Sequence, residues 1–331
     1  MQTVSSPVSS ASPASASSTG TVRAGLLQAL GAYGLWGILP VYFLLLSPAG
    51  AFEIVGERIL FSLVFCVVLL TVTRGWRQVG VIVRQPRLLM TVGLAGVFIY
   101  ANWQVYILAV LSGHVLEGAL GYFINPIVTV LLAVLVQREH LRPLQWTAVG
   151  ISALAVVVLA VGYGRFPWIS LALALSFGIY GLIKKRIGPR VGAVSGLSLE
   201  TAWLAPVAIL QLVLVSGATG LTFGTIGPVH TMLVVGSGVI TAVPLLLFAG
   251  AARRLSLTAL GLVQYLAPIL QFLFGAFVLG EDLPPERWAG FALVWLALLV
   301  LTVDLVRAGR RGPSSSTPPS TEARGVLEEG L

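Results

Sequence analysis

The sequence predicts an all-α integral membrane protein with ten transmembrane helices in two inverted five-helix repeats. Three observations predict it. First, the hydrophobic fraction is 57% and the charged fraction 10%, with a mean hydropathy of +0.95. A soluble domain carries roughly 25% charged residues and needs them to cover its surface. Second, apolar runs of about 20 residues, the length that crosses a bilayer as a helix, recur along the chain. Third, the two halves match each other at a fixed offset. The same composition excludes collagen-like, disordered and coiled-coil chains.

Taken in order, the spans are expected at 25–46, 54–73, 88–111, 115–136, 144–162, 166–183, 192–215, 230–251, 257–279 and 287–306. Ser47-Pro48-Ala49-Gly50, Ser112-Gly113, Gly162-Tyr163-Gly164 and Pro284-Pro285 punctuate them. Glycine ends helices through its backbone entropy, and proline by removing a donor. Lys184, Lys185 and Arg186 cut the sixth span short. A β-barrel is excluded, because barrel strands alternate apolar and polar residues over about ten positions. Residues 1–22, rich in Ser, Ala, Pro and Thr, lack the basic start of a secretory signal and read as a disordered tail; 307–331 read as a disordered cytoplasmic tail. Between them lie the two repeats, 23–163 and 164–306. The single cysteine, Cys66, leaves no intrachain disulfide and no thiolate cluster for a metal.

With the N-terminus in the cytoplasm, the cytoplasmic segments hold 17 of the 20 bases. The outer loops keep Arg165 and Arg287, and Arg58 sits inside the second span. This is the positive-inside bias of a multi-pass protein. It accounts for the net charge of +8 without nucleic acid, and it predicts both termini on the cytoplasmic side of a bacterial inner membrane.

The halves align at an offset of 142 residues: PIVTVLLAVLVQREHLRPLQW (126–146) against PILQFLFGAFVLGEDLPPERW (268–288), with eight of 21 positions identical. Leu and Val matches are cheap in such sequence. The pairs Pro126/Pro268, Glu139/Glu281, Pro143/Pro285 and Trp146/Trp288 are not. Gly96-Val97 also meets Gly238-Val239, and Tyr106 meets Phe248. Five spans per half is an odd number, so the second half enters the membrane from the opposite side. Inverted repeats are the structural basis of alternating access in many transporters.

HVLEGALGYFINPIV (114–128), QREHLRPLQW (137–146), LETAWLAP (199–206) and ARRLSLTALGLVQYLAPILQF (252–272) resemble the RarD group of the EamA family, in the drug/metabolite transporter superfamily. The resemblance covers about residues 22–306. It implies a bacterial permease of two inverted five-helix units. It further implies a central cavity lined by the first, third, fourth, sixth, eighth and ninth spans, with the fifth and tenth peripheral. It fixes neither substrate nor binding residues.

Those residues are sought instead from polarity and helical spacing, because polar groups in lipid need a partner or a cavity. In the fourth span Glu117, Gly121 and Asn125 form a stripe beside Tyr122; the third offers Asn102 and Tyr106. In the ninth, Gln264, Pro268 and Gln271 share a face next to Tyr265. The first contributes Tyr33, Trp36 and Pro40, and the sixth Phe177, Tyr180 and Lys184. The expected substrate site is Tyr33, Trp36, Asn102, Tyr106, Tyr122, Asn125, Tyr180, Gln264, Tyr265 and Gln271, an aromatic, weakly polar and mostly uncharged pocket suited to amphipathic solutes. The competing use of the aromatics is packing, and of the amides helix–helix hydrogen bonding.

Glu117 and Glu200 are the expected proton-coupling residues. Arg58 and Glu57, near Glu53, read as a gate or a proton site, or as an interfacial ion cluster that locks a helix end. Glu139 and Glu281 are expected to cap the helices that follow them. Pro40, Pro126, Pro244 and Pro268 are expected bending points, and Gly34, Gly37, Gly178 and Gly181 sites of close helix contact.

No GxxxxGK[ST], HExxH or GxSxG occurs, and the three histidines are isolated. Neither ATP hydrolysis, nor metal binding, nor a cofactor, nor an enzymatic activity is implied. The expected partners are a small-molecule substrate and the lipid bilayer, with a homodimer left open. The function expected is secondary transport of a small metabolite, amino acid-like or drug-like solute. The rival is a non-transporting helical membrane protein, either a structural partner or a lipid-handling enzyme.

Overall fold

A computed structural model describes residues 14–137, 141–162, 166–252, 254–255 and 263–310, and these are helical apart from their connections. The elements are α1 (Ala14–Leu45), α2 (Ala51–Val72), α3 (Trp76–Val83), α4 (Pro86–Leu111), α5 (Val115–Gln137), α6 (Pro143–Gly162), α7 (Trp168–Ile187), α8 (Ala193–Ala218), α9 (Pro228–Ala252), α10 (Leu266–Leu273, continued by a π-helical turn Phe274–Val278) and α11 (Pro285–Arg310). Glu139, His140, Arg165, the start of the ninth expected span and most of both expected tails lie outside the described residues.

Local chemistry explains the boundaries. α4, α6, α9 and α11 begin on a proline, whose missing N–H costs nothing in a first turn. Gly113, Gly220 and Gly280 take positive φ (69°, 79° and 63°) just beyond the ends of α4, α8 and the α10 π-turn, as helix-terminating glycines do.

Among the described residues eight helices are long and apolar enough to cross a membrane: α1, α2, α4, α5, α6, α8, α9 and α11. The sixth and ninth expected spans are shorter apolar helices, Trp168–Lys184 and Leu266–Val278. The ninth is cut by a turn at Gln264 and Tyr265. The short amphipathic α3 fills a connection that was expected to be loop. α1 starts at Ala14, inside the expected tail and directly after Pro13, beyond which no further proline occurs before Pro40.

The apolar surface faces outward. Val64, Val68 and Val72 on α2, and Val207, Leu210 and Leu214 on α8, form exposed stripes at helical spacing. Asn102, Gln104, Thr201 and Thr241 are buried. Exposed apolar stripes over a polar interior are the inverse of a soluble bundle, and they suit a lipid surround.

The main packing pairs are α6 with α11, α2 with α8, α5 with α7, α2 with α9, α1 with α9 and α4 with α7; α1 with α10, α4 with α8 and α5 with α10 follow. Two glycines lie closest to the backbone of a neighbouring helix. A Cβ on Gly238 would lie 2.4 Å from the Phe61 carbonyl carbon, and one on Gly121 would lie 2.7 Å from the Ser170 carbonyl oxygen. Of the four glycines expected at contacts, Gly37 packs against Leu270 and Gly178 against Val128, whereas Gly34 and Gly181 face open space.

Candidate functional site

A cavity of about 150 Å³ opens at the centre of the bundle. Its wall is built by Tyr33, Trp36 and Leu39 of α1, Arg58 of α2, Ile99, Asn102, Trp103 and Tyr106 of α4, and Tyr122 and Asn125 of α5. Phe177 of α7, Leu245 and Phe248 of α9, Gln264, and Ala267, Pro268 and Gln271 of α10 complete it. These are the six spans that the family resemblance places around a cavity, with α2 added through Arg58. α6 and α11 contribute nothing and pack on each other at the periphery.

Two aromatic groups shape the wall. Tyr33, Trp36 and Phe248 meet pairwise with ring centroids 5.2–6.1 Å apart. A second series runs Phe43, Tyr106, Tyr122, Phe177, with successive centroids 6.2, 5.4 and 6.0 Å apart. Edge-to-face pairs of this kind fix ring orientation and add to the energy of burial.

The amides divide by what they already hold. Asn102 donates to the Leu173 carbonyl and to Ser176 Oγ, both at 3.1 Å, and its Oδ1 accepts from the Tyr122 hydroxyl at 3.0 Å. Asn125 donates to the Ala174 carbonyl at 3.3 Å. Both therefore bind α7 to its neighbours. Gln271 donates to the Trp36 carbonyl at 3.0 Å, and its Oε1 is buried without a hydrogen-bond partner. The Tyr106 hydroxyl is buried and unpartnered as well.

Among the described residues the wall carries one charged side chain, Arg58. It is 3% exposed. Its Nε donates to Thr241 Oγ1 at 2.6 Å, and its guanidinium lies 4.4 Å from the Trp103 ring centroid and 5.4 Å from that of Phe43. Nη1 has no hydrogen-bond partner. Among the described residues no carboxylate lies within ion-pair distance of Arg58. The expected ion cluster is absent because Glu53 turns the other way, accepting from Thr222 Oγ1 and from the Thr222 and Phe223 N–H groups, which pins the α8–α9 connection to α2. A guanidinium at the bilayer centre costs about 2.5–3.5 kcal/mol on insertion scales. The cation–π contacts offset part of that cost.

The other expected residues lie elsewhere. Glu57 is buried outside the cavity wall, and its Oε2 has no hydrogen-bond partner. Glu200 and Tyr180 form a separate cluster between α7 and α8, where Glu200 accepts from Lys184 Nζ at 2.6 Å and from the Tyr180 hydroxyl at 3.2 Å. Tyr265 packs with the α6–α11 side of the core. Glu117 lines a second cavity with Gly113, His114, Glu281, Asp282 and Arg287. There Glu281 accepts from the N–H groups of Val115 (2.7 Å) and Leu116 (3.1 Å), so it caps α5 across the fold rather than the helix that follows it. Burial raises the Glu281 carboxyl above its usual range, against the pull of those two donors.

Pro40, Pro126 and Pro244 sit inside α1, α5 and α9, with Pro206 inside α8 as a fourth. Pro268 is in the first turn of α10, where no intrahelical bond is lost, so it marks a helix start and not a bend. Trp103 and Thr241 escaped the sequence reading. Phe248 was signalled there by its alignment with Tyr106.

Fold and cavity together define a multi-pass helical membrane protein with a central, aromatic-walled chamber. The comparisons with known proteins carry this further. No family profile matches the chain. Protein RarD of Streptomyces exfoliatus is 49% identical over 290 residues, 87% of this chain and 91% of that protein. Protein RarD of Salmonella typhi is 39% identical over 87% of this chain and 98% of its own length. The uncharacterized transporter YojE of Bacillus subtilis is 39% identical over 88% and 98%. The chain belongs to the RarD family of EamA-type permeases. A solved crystal structure superposes with a TM-score of 0.57 at 20% identity, covering 84% of this chain and 97% of that one; a likeness at that identity speaks for the fold alone.

Proposed function

We propose that the chain is a secondary transporter that moves a small metabolite, amino acid-like or drug-like solute across the bacterial inner membrane by alternating access. On this reading α3 is an accessory and the other ten helices are the spans. They group as two inverted units, 23–163 and 164–306, with both termini cytoplasmic.

The observation that carries the reading is the aromatic-walled chamber, to which both proposed halves contribute wall residues. The packing pattern supports it. Setting α1, α2, α4, α5 and α6 against α7, α8, α9, α10 and α11, the main cross-half contacts have exchanged counterparts: α5·α7 with α1·α10, α2·α9 with α4·α8, and α1·α9 with α4·α7, while the smaller α5·α11 contact has none of comparable extent. α2·α8, α5·α10 and α6·α11 pair like with like. Two near-equivalent halves can trade conformations, and so open one site to either face in turn. The break at Gln264 and Tyr265, and the π-turn that ends α10, fit the same reading. Interrupted helices gather at transporter sites, and π-turns at functional ones. The names of the relatives agree with a role in transport and not in catalysis.

The test is flux into proteoliposomes holding the purified full chain, across a metabolite panel, with and without a proton gradient. Chloramphenicol belongs in that panel, because a Pseudomonas aeruginosa relative 32% identical to this chain is named chloramphenicol-sensitive protein RarD. Gradient-responsive flux of any solute sustains the proposal. Folded protein that moves none of them defeats it.

A further inference from the structure

The chamber carries a chemical preference of its own. Among the described residues that line it, Arg58 is the single charged one, and none is an acid. We propose that the chamber takes small organic monoanions, an aromatic or aliphatic body bearing one carboxylate, and that Arg58 binds the carboxylate. This inference rests on the reading of the chain as a solute transporter.

Arg58 is held as a binding group is held. Thr241 fixes Nε from α9, and Trp103 and Phe43 hold the guanidinium plane. Nη1 is left buried and unpartnered in a residue that lines the chamber. A planar fork with an unused donor and an immobilised stem matches a carboxylate, because charge-assisted hydrogen bonds from arginine are short, directional and strongest away from water. A cation entering the chamber would meet like charge with no acid to receive it. A dianion would keep one charge uncompensated against an apolar wall. A neutral solute would leave the arginine donor unpaired. A monocarboxylate resolves all three.

The rest of the wall suits the body of such a solute. The Trp36 and Phe248 rings offer stacking faces, and the unpartnered Gln271 Oε1 and Tyr106 hydroxyl can each take one further polar group. Gln271 Oε1 can only accept, so it favours a solute that also carries an N–H or O–H.

The test uses the full chain purified in detergent and reads the change in its tryptophan fluorescence, in which Trp36 and Trp103 of the chamber wall are two of eight emitters. The probes share one body and differ in one group: 3-phenylpropionate, 3-phenylpropionamide and 3-phenylpropylamine. The acid is expected to bind at least tenfold tighter than the amide, and the amine not detectably. Arg58→Gln should bring the acid down to the level of the amide and leave the amide unchanged, while Arg58→Lys should keep part of the preference. Equal binding of acid and amide by the unaltered chain overturns the proposal, as does a preference that survives Arg58→Gln. If Arg58→Gln fails to fold, the ranking in the unaltered chain and the Arg58→Lys result decide the matter. Flux of the same probes into proteoliposomes separates the two readings. Preferential binding of the acid without flux of any solute leaves the anion site and removes the transporter. Equal flux of acid and amide, unaltered by Arg58→Gln, leaves the transporter and removes the anion site.

Discussion

Arg58 on α2 and Glu200 on α8 are separated by the same 142 residues that separate Pro126 from Pro268. On the proposed repeat they are therefore equivalent positions, on two helices that pack against each other. Their surroundings are opposite. Glu200 is neutralised within its own half, by Lys184 at 2.6 Å and the Tyr180 hydroxyl at 3.2 Å, outside the chamber wall. Arg58 has no acid partner among the described residues, reaches across to Thr241 in the other proposed half, and lines the chamber. One position is spent on holding two helices together, and the other keeps a charge in reserve. Helix pairing can be symmetric while electrostatics are not, and the asymmetry is what gives one chamber a sign.

The largest expected effect breaks the symmetric part. On the proposed repeat Gly96 and Gly238 are equivalent glycines, at the contacts of α4 with α8 and of α9 with α2. A Cβ at Gly96 would lie 3.3 Å from the Glu200 carbonyl oxygen, tight but ordinary after a small shift; one at Gly238 would lie 2.4 Å from backbone that has nowhere to go. Gly238→Ala should cost about 3 kcal/mol or more, seen as a fall in melting temperature or in folded yield, and Gly96→Ala about 1 kcal/mol or less. Equal losses would show that the two seams are not built alike.

Next in size is the paired charge. Glu200→Ala leaves Lys184 without its acid in a largely apolar setting. Breaking a fully buried pair costs roughly 3–5 kcal/mol, but the Lys184 side chain is 29% exposed, so water takes up part of the loss and about 2 kcal/mol is expected. Glu200→Gln, which keeps a partner for the Tyr180 hydroxyl, should lose less. Thermal unfolding of both variants checks the order. A Glu200→Ala chain as stable as the parent would mean that the pair contributes nothing to the seam.

The chamber was legible in the sequence wherever polarity alone marked it. Asn102, Asn125, Gln264, Gln271 and Arg58 are visible because a polar group in a long apolar run must face something other than lipid. Which face it meets was not legible. Phe177 and Tyr180 share a stripe three residues apart, yet Phe177 lines the chamber and Tyr180 turns to Glu200, a rotation of about 60° that spacing cannot resolve. The Glu281 cap on α5 and the Thr241 bond to Arg58 join residues 166 and 183 positions apart, and such registers exist only after packing. The break at Gln264 and Tyr265 carries no Gly or Pro, so a hydropathy window runs straight through it. The all-helical, multi-pass outline was easier, since eight spans need only length and composition to be recognised. α3 was missed because eight residues fall below any spanning window.

The smallest expected effect sharpens the asymmetric part. Arg58→Gln removes a bond to Thr241 and two ring contacts, together worth about 2 kcal/mol. It also removes the cost of keeping a guanidinium from water, of similar or greater size. The net change in melting temperature should be close to zero, under about 1 kcal/mol in either direction. Glu200→Ala, at the equivalent position, should be several times more damaging to stability. A large fall for Arg58→Gln would make that arginine another helix-holding group, like Glu200, and the chamber would lose its one charged residue as a candidate for function. A neutral result means that the fold does not depend on the charge, as a solute-binding role for Arg58 requires.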